Sequence, residues 1–199
     1  AGAGDADCAA AFLEDFGQRA WRRPLSDDEL AALTDLVAGI GAEAGAFEEG
    51  VLYGLAALLQ SPNFLYRREH GAAADAGRAL TDYELAGRLS FLLWNTIPDD
   101  ALLDAAAQGL LTTDEGLLAE AERMLADERA RLGVRSLFHE LFTLYELDDL
   151  SKDPTVFTHA SEELGPAARE ETLRTIEDLV FDNRDDFRTL LTTQRTWVD

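Results

Sequence analysis

Three histidines, one cysteine and a large surplus of carboxylates are the groups in this chain able to carry chemistry, and their spacing decides what each can do. None of His70, His139 and His159 stands four residues from another, so the two-histidine face of an H-E-x-x-H zinc helix is missing. His139 precedes Glu140, but a single histidine in an apolar helix is more commonly a hydrogen-bonded boundary residue than a ligand. The run "DLSKDPTVFTHA" puts Asp149, Ser151 and Asp153 where a calcium loop has its first three ligands. Pro154 then stands in place of the turn glycine and Ala160 in place of the bidentate glutamate, so the segment reads as a loop whose proline ends a helix. Acidic neighbours recur, among them Asp27-Asp28, Asp99-Asp100 and Glu170-Glu171. Acid–base catalysis needs carboxyls whose pKa values are driven apart by burial or proximity, and adjacency on a helix surface does not supply that. In a first helical turn such acids complement the macrodipole instead. There is no G-x-S-x-G elbow, no P-loop, no G-x-G-x-x-G and no C-x-x-C-H. Catalytic residues therefore stay unknown, and no metal-ligating or cofactor-binding residue is expected. An enzymatic reading needs Arg67, Arg88, His139 and acids such as Glu84 to converge in one cleft.

The arginines are the remaining candidates. "RAWRRPLSDDEL" sets Arg19, Arg22 and Arg23 around Trp21 and Pro24. This is either a site for an anion or a joint between helices. The joint is the commoner use. Arg22 and Arg23 in a last turn complement its carbonyls, Pro24 disfavours helix at Arg23, and Ser26 opens the next helix. "FLYRRE", with Arg67, repeats the arrangement. Arg22, Arg23, Arg67, Arg88 and Trp94 are thus the structural or partner-contact candidates, Trp94 being a core residue in the ordinary case.

Charge narrows the partners. Against 17 Lys and Arg stand 39 Asp and Glu, a net −22. Such a surface repels nucleic acid and anionic lipid, keeps a protein soluble, and steers cationic partners. No apolar run approaches the ~18 residues that would span a bilayer, so no membrane insertion is expected. The opening "AGAGDADC" lacks the basic and apolar regions of a signal peptide and reads as the frayed start of an excised or mature chain. Cys8 has no partner cysteine in these 199 residues; it either pairs outside them or is a small buried thiol on a helix face.

The elements that must position these groups are helical. Ser26-x-x-Glu29, Thr81-x-x-Glu84 and Thr112-x-x-Glu115 are capping boxes, in which the hydroxyl accepts an amide hydrogen and the glutamate returns to the cap amide. Leu30, Leu33, Val37 and Ile40 follow the first at helical spacing, as Leu85, Leu89, Leu92 and Leu93 follow the second. Periodicity alone marks helices over Cys8–Arg22, with Phe12, Leu13 and Phe16 on one side, and over Phe47–Gln60, with Val51, Leu55, Leu58 and Leu59. Ala130–Leu147, with Leu137, Phe138, Leu141 and Phe142, is predicted to be the most buried helix. Beyond Pro166, Leu173, Ile176 and Val180 make a stripe with Glu170 and Arg174 paired across one turn, and a short helix follows over Arg184–Leu191. No segment alternates as a strand should. The expectation is an all-α chain of about eight helices: a small N-terminal helical unit over residues 1–70, a linker at 71–80, and a larger C-terminal helical bundle at 81–199. "RPLSDDELA" and "RALTDYELA" resemble each other across that linker because both start a helix.

"FGQRAWRRPLSDDEL", "FEEGVLYGLAALLQSPNFLYR" and "LTDYELAGRLSFLLWNTIPDDALLDAAAQGLL" follow in that order, with "RMLADERA" and "EETLRTIEDLVFDNRDDFRTLLTTQRTWVD" later. Together they resemble planctomycete-specific domains five and four, over about residues 8–199. That family occurs in large secreted proteins of planctomycetes and myxobacteria, often beside c-type cytochrome modules. The resemblance implies an extracytoplasmic location, periplasmic or secreted, and neighbouring domains of a longer polypeptide that bear haem c or bind carbohydrate. It supplies no catalytic residues. The function it implies is a non-catalytic scaffold or interaction module docking a protein partner such as a redox protein. The alternative is a fragment of a secreted enzyme acting on polysaccharide or another polymer.

Overall fold

Helix α1 (Ala6–Trp21) starts where the Asp5 carboxylate accepts the Cys8 amide hydrogen at 3.0 Å. It ends one residue before the predicted Arg22: the Arg22 backbone is left-handed, φ 60°, and closes the helix. Helix α2 (Asp27–Ala44) opens with the expected box, Ser26 Oγ accepting from the Glu29 amide at 3.3 Å and Glu29 from the Ser26 amide at 2.9 Å. Helix α3 (Phe47–Gln60) has the predicted bounds. Leu13, Val37 and Leu58, one from each helix, are fully buried at the centre of their core, with Phe12, Phe16, Leu30, Leu33 and Val51 packed around them. Leu59, by contrast, faces out. Helices α2 and α3 approach so closely that a Cβ on Gly50 would stand 2.1 Å from the Val37 carbonyl oxygen. The computed structural model describes residues 2–74, 77–153, 155–158, 161–183, 186–195 and 197.

After a single turn, α4 (Pro62–Leu65), the chain forms an antiparallel hairpin of β1 (Ala72–Ala74) and β2 (Gly77–Ala79), Ala72 facing Ala79. Two three-residue strands of Ala, Gly and Arg leave no alternating pattern to read, which is why the sequence shows only a linker there. Helices α5 (Asp82–Leu93), α6 (Asp100–Ala107), α7 (Asp114–Leu125), α8 (Arg129–Leu141) and α9 (Leu164–Glu177) follow. A 3-10 segment, Leu144–Asp149, lies between α8 and α9; a π-turn, Asp178–Asp182, and a 3-10 segment, Phe187–Leu191, lie after α9. The chain is all-α, apart from the hairpin.

Three expectations change. The box at Thr112 is displaced by one residue: Thr113 Oγ accepts from the Gly116 amide at 3.1 Å, and Thr112 is held by Asp82, its amide donating at 3.0 Å. The reciprocal glutamate is lost because the third helical position is Gly116, where a Cβ would meet the Leu110 carbonyl oxygen at 2.2 Å. Helix α8 is not deeply buried: only Ala130 and Gly133 are, while Leu132, Leu137 and Leu141 are more than half exposed. It also stops at Leu141, because Thr143 takes a left-handed backbone at φ 50°. Cys8 is exposed, its neighbour Ala9 taking the inward position. The C-terminal short helix begins at Phe187; Arg184 and Asp185 lie outside the described residues, as do Pro154, His159 and Ala160 of the calcium-like loop.

The chain groups into two compact units. One comprises residues 1–91 and 96–123; the other comprises 92–95 and 124–199. Within the second, Met124, Ala130, Leu173 and Ile176 are buried with Trp94.

Candidate functional site

The left-handed turn at Arg22 throws its side chain toward the end of α4. The guanidinium donates to the Asn63 carbonyl at 2.6 Å, the Tyr66 carbonyl at 3.1 Å and the Ala20 carbonyl at 3.3 Å. Arg22 is only 9 % exposed, so these carbonyls replace the water it has lost. Beside it, Trp21 donates its indole hydrogen to the Leu58 carbonyl at 3.1 Å, tying α1 to α3. Arg23 turns the other way. It grips Glu29 with both terminal nitrogens at 2.8 Å, and its guanidinium lies 5.4 Å from the Trp21 ring. Glu29 is thus both cap and ion-pair partner. The Arg23 hydrogen bond, assisted by the Ser26 amide and opposed by partial burial, holds its carboxyl down at about 2.

The second arginine group is arranged differently. Arg67 is exposed and stacks on Phe91, 4.8 Å from the ring centroid, and Arg22 approaches the same ring at 5.9 Å. Burial first, and then the Arg67 charge, lower the pKa of Arg22. Arg88 pairs with Glu69 in a two-point contact at 3.0 and 2.5 Å. Glu84 accepts from the His70 amide at 2.5 Å, the Gly71 amide at 2.9 Å and the Thr81 amide at 2.8 Å. Partial burial alone would raise its carboxyl, but the amides of Thr81, Gly71 and His70 together hold it at about 2. The capping role of Glu84 is legible in Thr81-x-x-Glu84; its grip on the hairpin, thirteen and fourteen residues back, carries no sequence signal.

Trp94 is 2 % exposed, donates to the Met124 carbonyl at 2.9 Å, and carries the Arg129 guanidinium 3.5 Å from its ring centroid. His139, in the same unit as Trp94, meets Tyr145 edge-on at 6.1 Å. Glu84, Arg88 and Arg67 belong to the other unit, and each is engaged there with its own partner. A small polar cavity of about 180 Å³ lies between α1 and α6, lined by Asp15, Gln18, Arg19, Asp100, Leu103 and Asp104. Arg19 sits between Asp15 and Asp100 at 3.4 Å from each, and the lining contains no Ser, Cys, Lys or His. Among the described residues, no three or more of His, Cys, Asp and Glu group so as to hold a metal ion. No helix described is long and apolar enough to cross a membrane.

Two family models match the chain. PSD4, described as a protein of unknown function (DUF1592), covers residues 80–199. PSD5, likewise of unknown function (DUF1595), covers residues 8–69. No curated protein and no solved structure matches the chain.

Proposed function

The chain belongs to the PSD4 family, with a PSD5 region ahead of it, and on that premise we propose that it is a non-catalytic helical scaffold and interaction module of a larger extracytoplasmic protein associated with c-type cytochromes. It holds no haem; the haem belongs to neighbouring modules or to the partner it docks. The observation that carries this reading is how the charge is distributed. Every arginine within α1, α5, α7, α8 and α9 is paired with a carboxylate of this chain. The cations are therefore largely neutralised internally, and among the described residues no Asp or Glu is buried, in a chain of 39 acids and 17 bases. A surface of one sign guides a basic protein such as a small cytochrome without needing a deep pocket.

The setting is tested on the whole polypeptide isolated from its native cells. The reading expects it in the exported fraction and co-purifying with covalently bound haem, read from the absorbance of a c-type chromophore. Recovery from the cytoplasm with no haem protein attached would overturn it.

A further inference from the structure

We propose that the Arg22–Arg67 pair at the Phe91 ring is an oxyanion-binding site, which takes a carboxylate or phosphate group from outside this chain. Arg22 and Arg67 have no carboxylate partner among the described residues; their contacts are carbonyls and one aromatic ring. That is unexpected in a chain with more than two acids for every base. The helical arginines, Arg88 on α5 included, all find a carboxylate. Two cations gathered at one ring with no counter-charge repel each other, and the fold tolerates this at a point where an anion would relieve it. The ring also shapes the site. Stacked on the ring face, Arg67 can present its N–H edge, a planar fork that matches the two oxygens of a carboxylate or phosphate, while Arg22, whose terminal nitrogens both donate to carbonyls, contributes charge. Arg22 is fixed by three carbonyls and cannot swing away, so one of the two charges is preorganised. Burial first, and the Arg67 charge second, lower the pKa of Arg22. The site is separate from the acidic docking surface proposed above and opposite to it in sign.

The test uses the full chain labelled at arginine side chains, with the Nε–Hε resonances followed by NMR at constant ionic strength. Inorganic phosphate and an acetylated tetraglutamate peptide are titrated separately. Saturable shifts of the Arg67 and Arg22 signals are expected with at least one probe, half-complete below about 10 mM. Saturation by phosphate alone assigns a free oxyanion; saturation by the peptide, with or without phosphate, assigns a carboxylate-bearing polypeptide. Arg67→Ala, at an exposed position, should abolish the Arg22 shift, and Arg67→Lys, which keeps charge but loses the fork, should weaken binding about threefold or more. No saturation with either probe, an Arg22 shift that survives Arg67→Ala, or Arg19 and Arg78 signals moving in step with Arg67 would each overturn the site.

Discussion

Arg22 and Arg67 differ by less than a turn of sequence context, a cation at a helix end before a break, yet the fold uses them differently. Arg22 is nine-tenths buried and closes the carbonyl end of α4; Arg67 lies exposed on a ring. Arg22→Lys keeps the charge but cannot reach several carbonyls at once. It should cost about 1–3 kcal/mol in denaturant unfolding, whereas Arg67→Ala should stay within about 0.5 kcal/mol. Glu84 makes a second residue-scale prediction. Glu29 and Glu84 both sit at about 2, below the ordinary 4.5. A carboxyl depressed in the folded state stabilises it above the unfolded value, and that gain fades as pH falls from about 4.5 toward about 2. Glu84→Gln should therefore flatten the dependence of stability on pH across that window. At neutral pH it should speed amide exchange at His70 and Gly71, which donate to the carboxylate. Unchanged exchange at both amides would contradict the role assigned to Glu84.

Helix starts and cores followed from local pattern, because capping and amphipathic spacing are properties of short stretches. Ser26 with Glu29, the α3 bounds, and the inward Leu13, Val37 and Leu58 were all legible in this way. What failed depended on distant partners. Thr112 looks like a cap, but Asp82, thirty residues away, holds it and leaves the role to Thr113. Thr113→Ala should accordingly cost about 1 kcal/mol while Glu115→Gln costs under about 0.5; the reverse order would restore the box at Thr112. Helix α8 carries many large apolar groups, yet periodicity reports only that a helix has such a face and not whether anything covers it, and Leu132, Leu137 and Leu141 remain exposed. Cys8 was one residue out of phase with the inward Ala9, a margin too fine for pattern reading. The candidate site is half legible: Arg22, Arg23 and Arg67 stand out as residues, but nothing local marks Phe91 as the ring that brings two of them together. At element scale, α2 and α3 pack closely. Gly50→Ala would drive a methyl into the Val37 carbonyl and should destabilise the chain by about 1–3 kcal/mol in thermal or denaturant melts.

For the molecule as a whole, net charge is the property with the longest reach. A formal −22 extends beyond any single contact and falls off over a Debye length of about 8 Å at physiological salt. Internal pairing keeps the helical arginines close to carboxylates of this chain. The central claim is that this acidic helical module docks a cationic protein by electrostatics. The most direct measurement is the affinity of the full chain for a basic c-type cytochrome, by calorimetry, as ionic strength is raised. Affinity should fall about tenfold or more between roughly 50 and 200 mM salt, chiefly through slower association, and Arg67→Ala should leave it unchanged. An affinity insensitive to salt, or equal for an acidic cytochrome, would contradict the account.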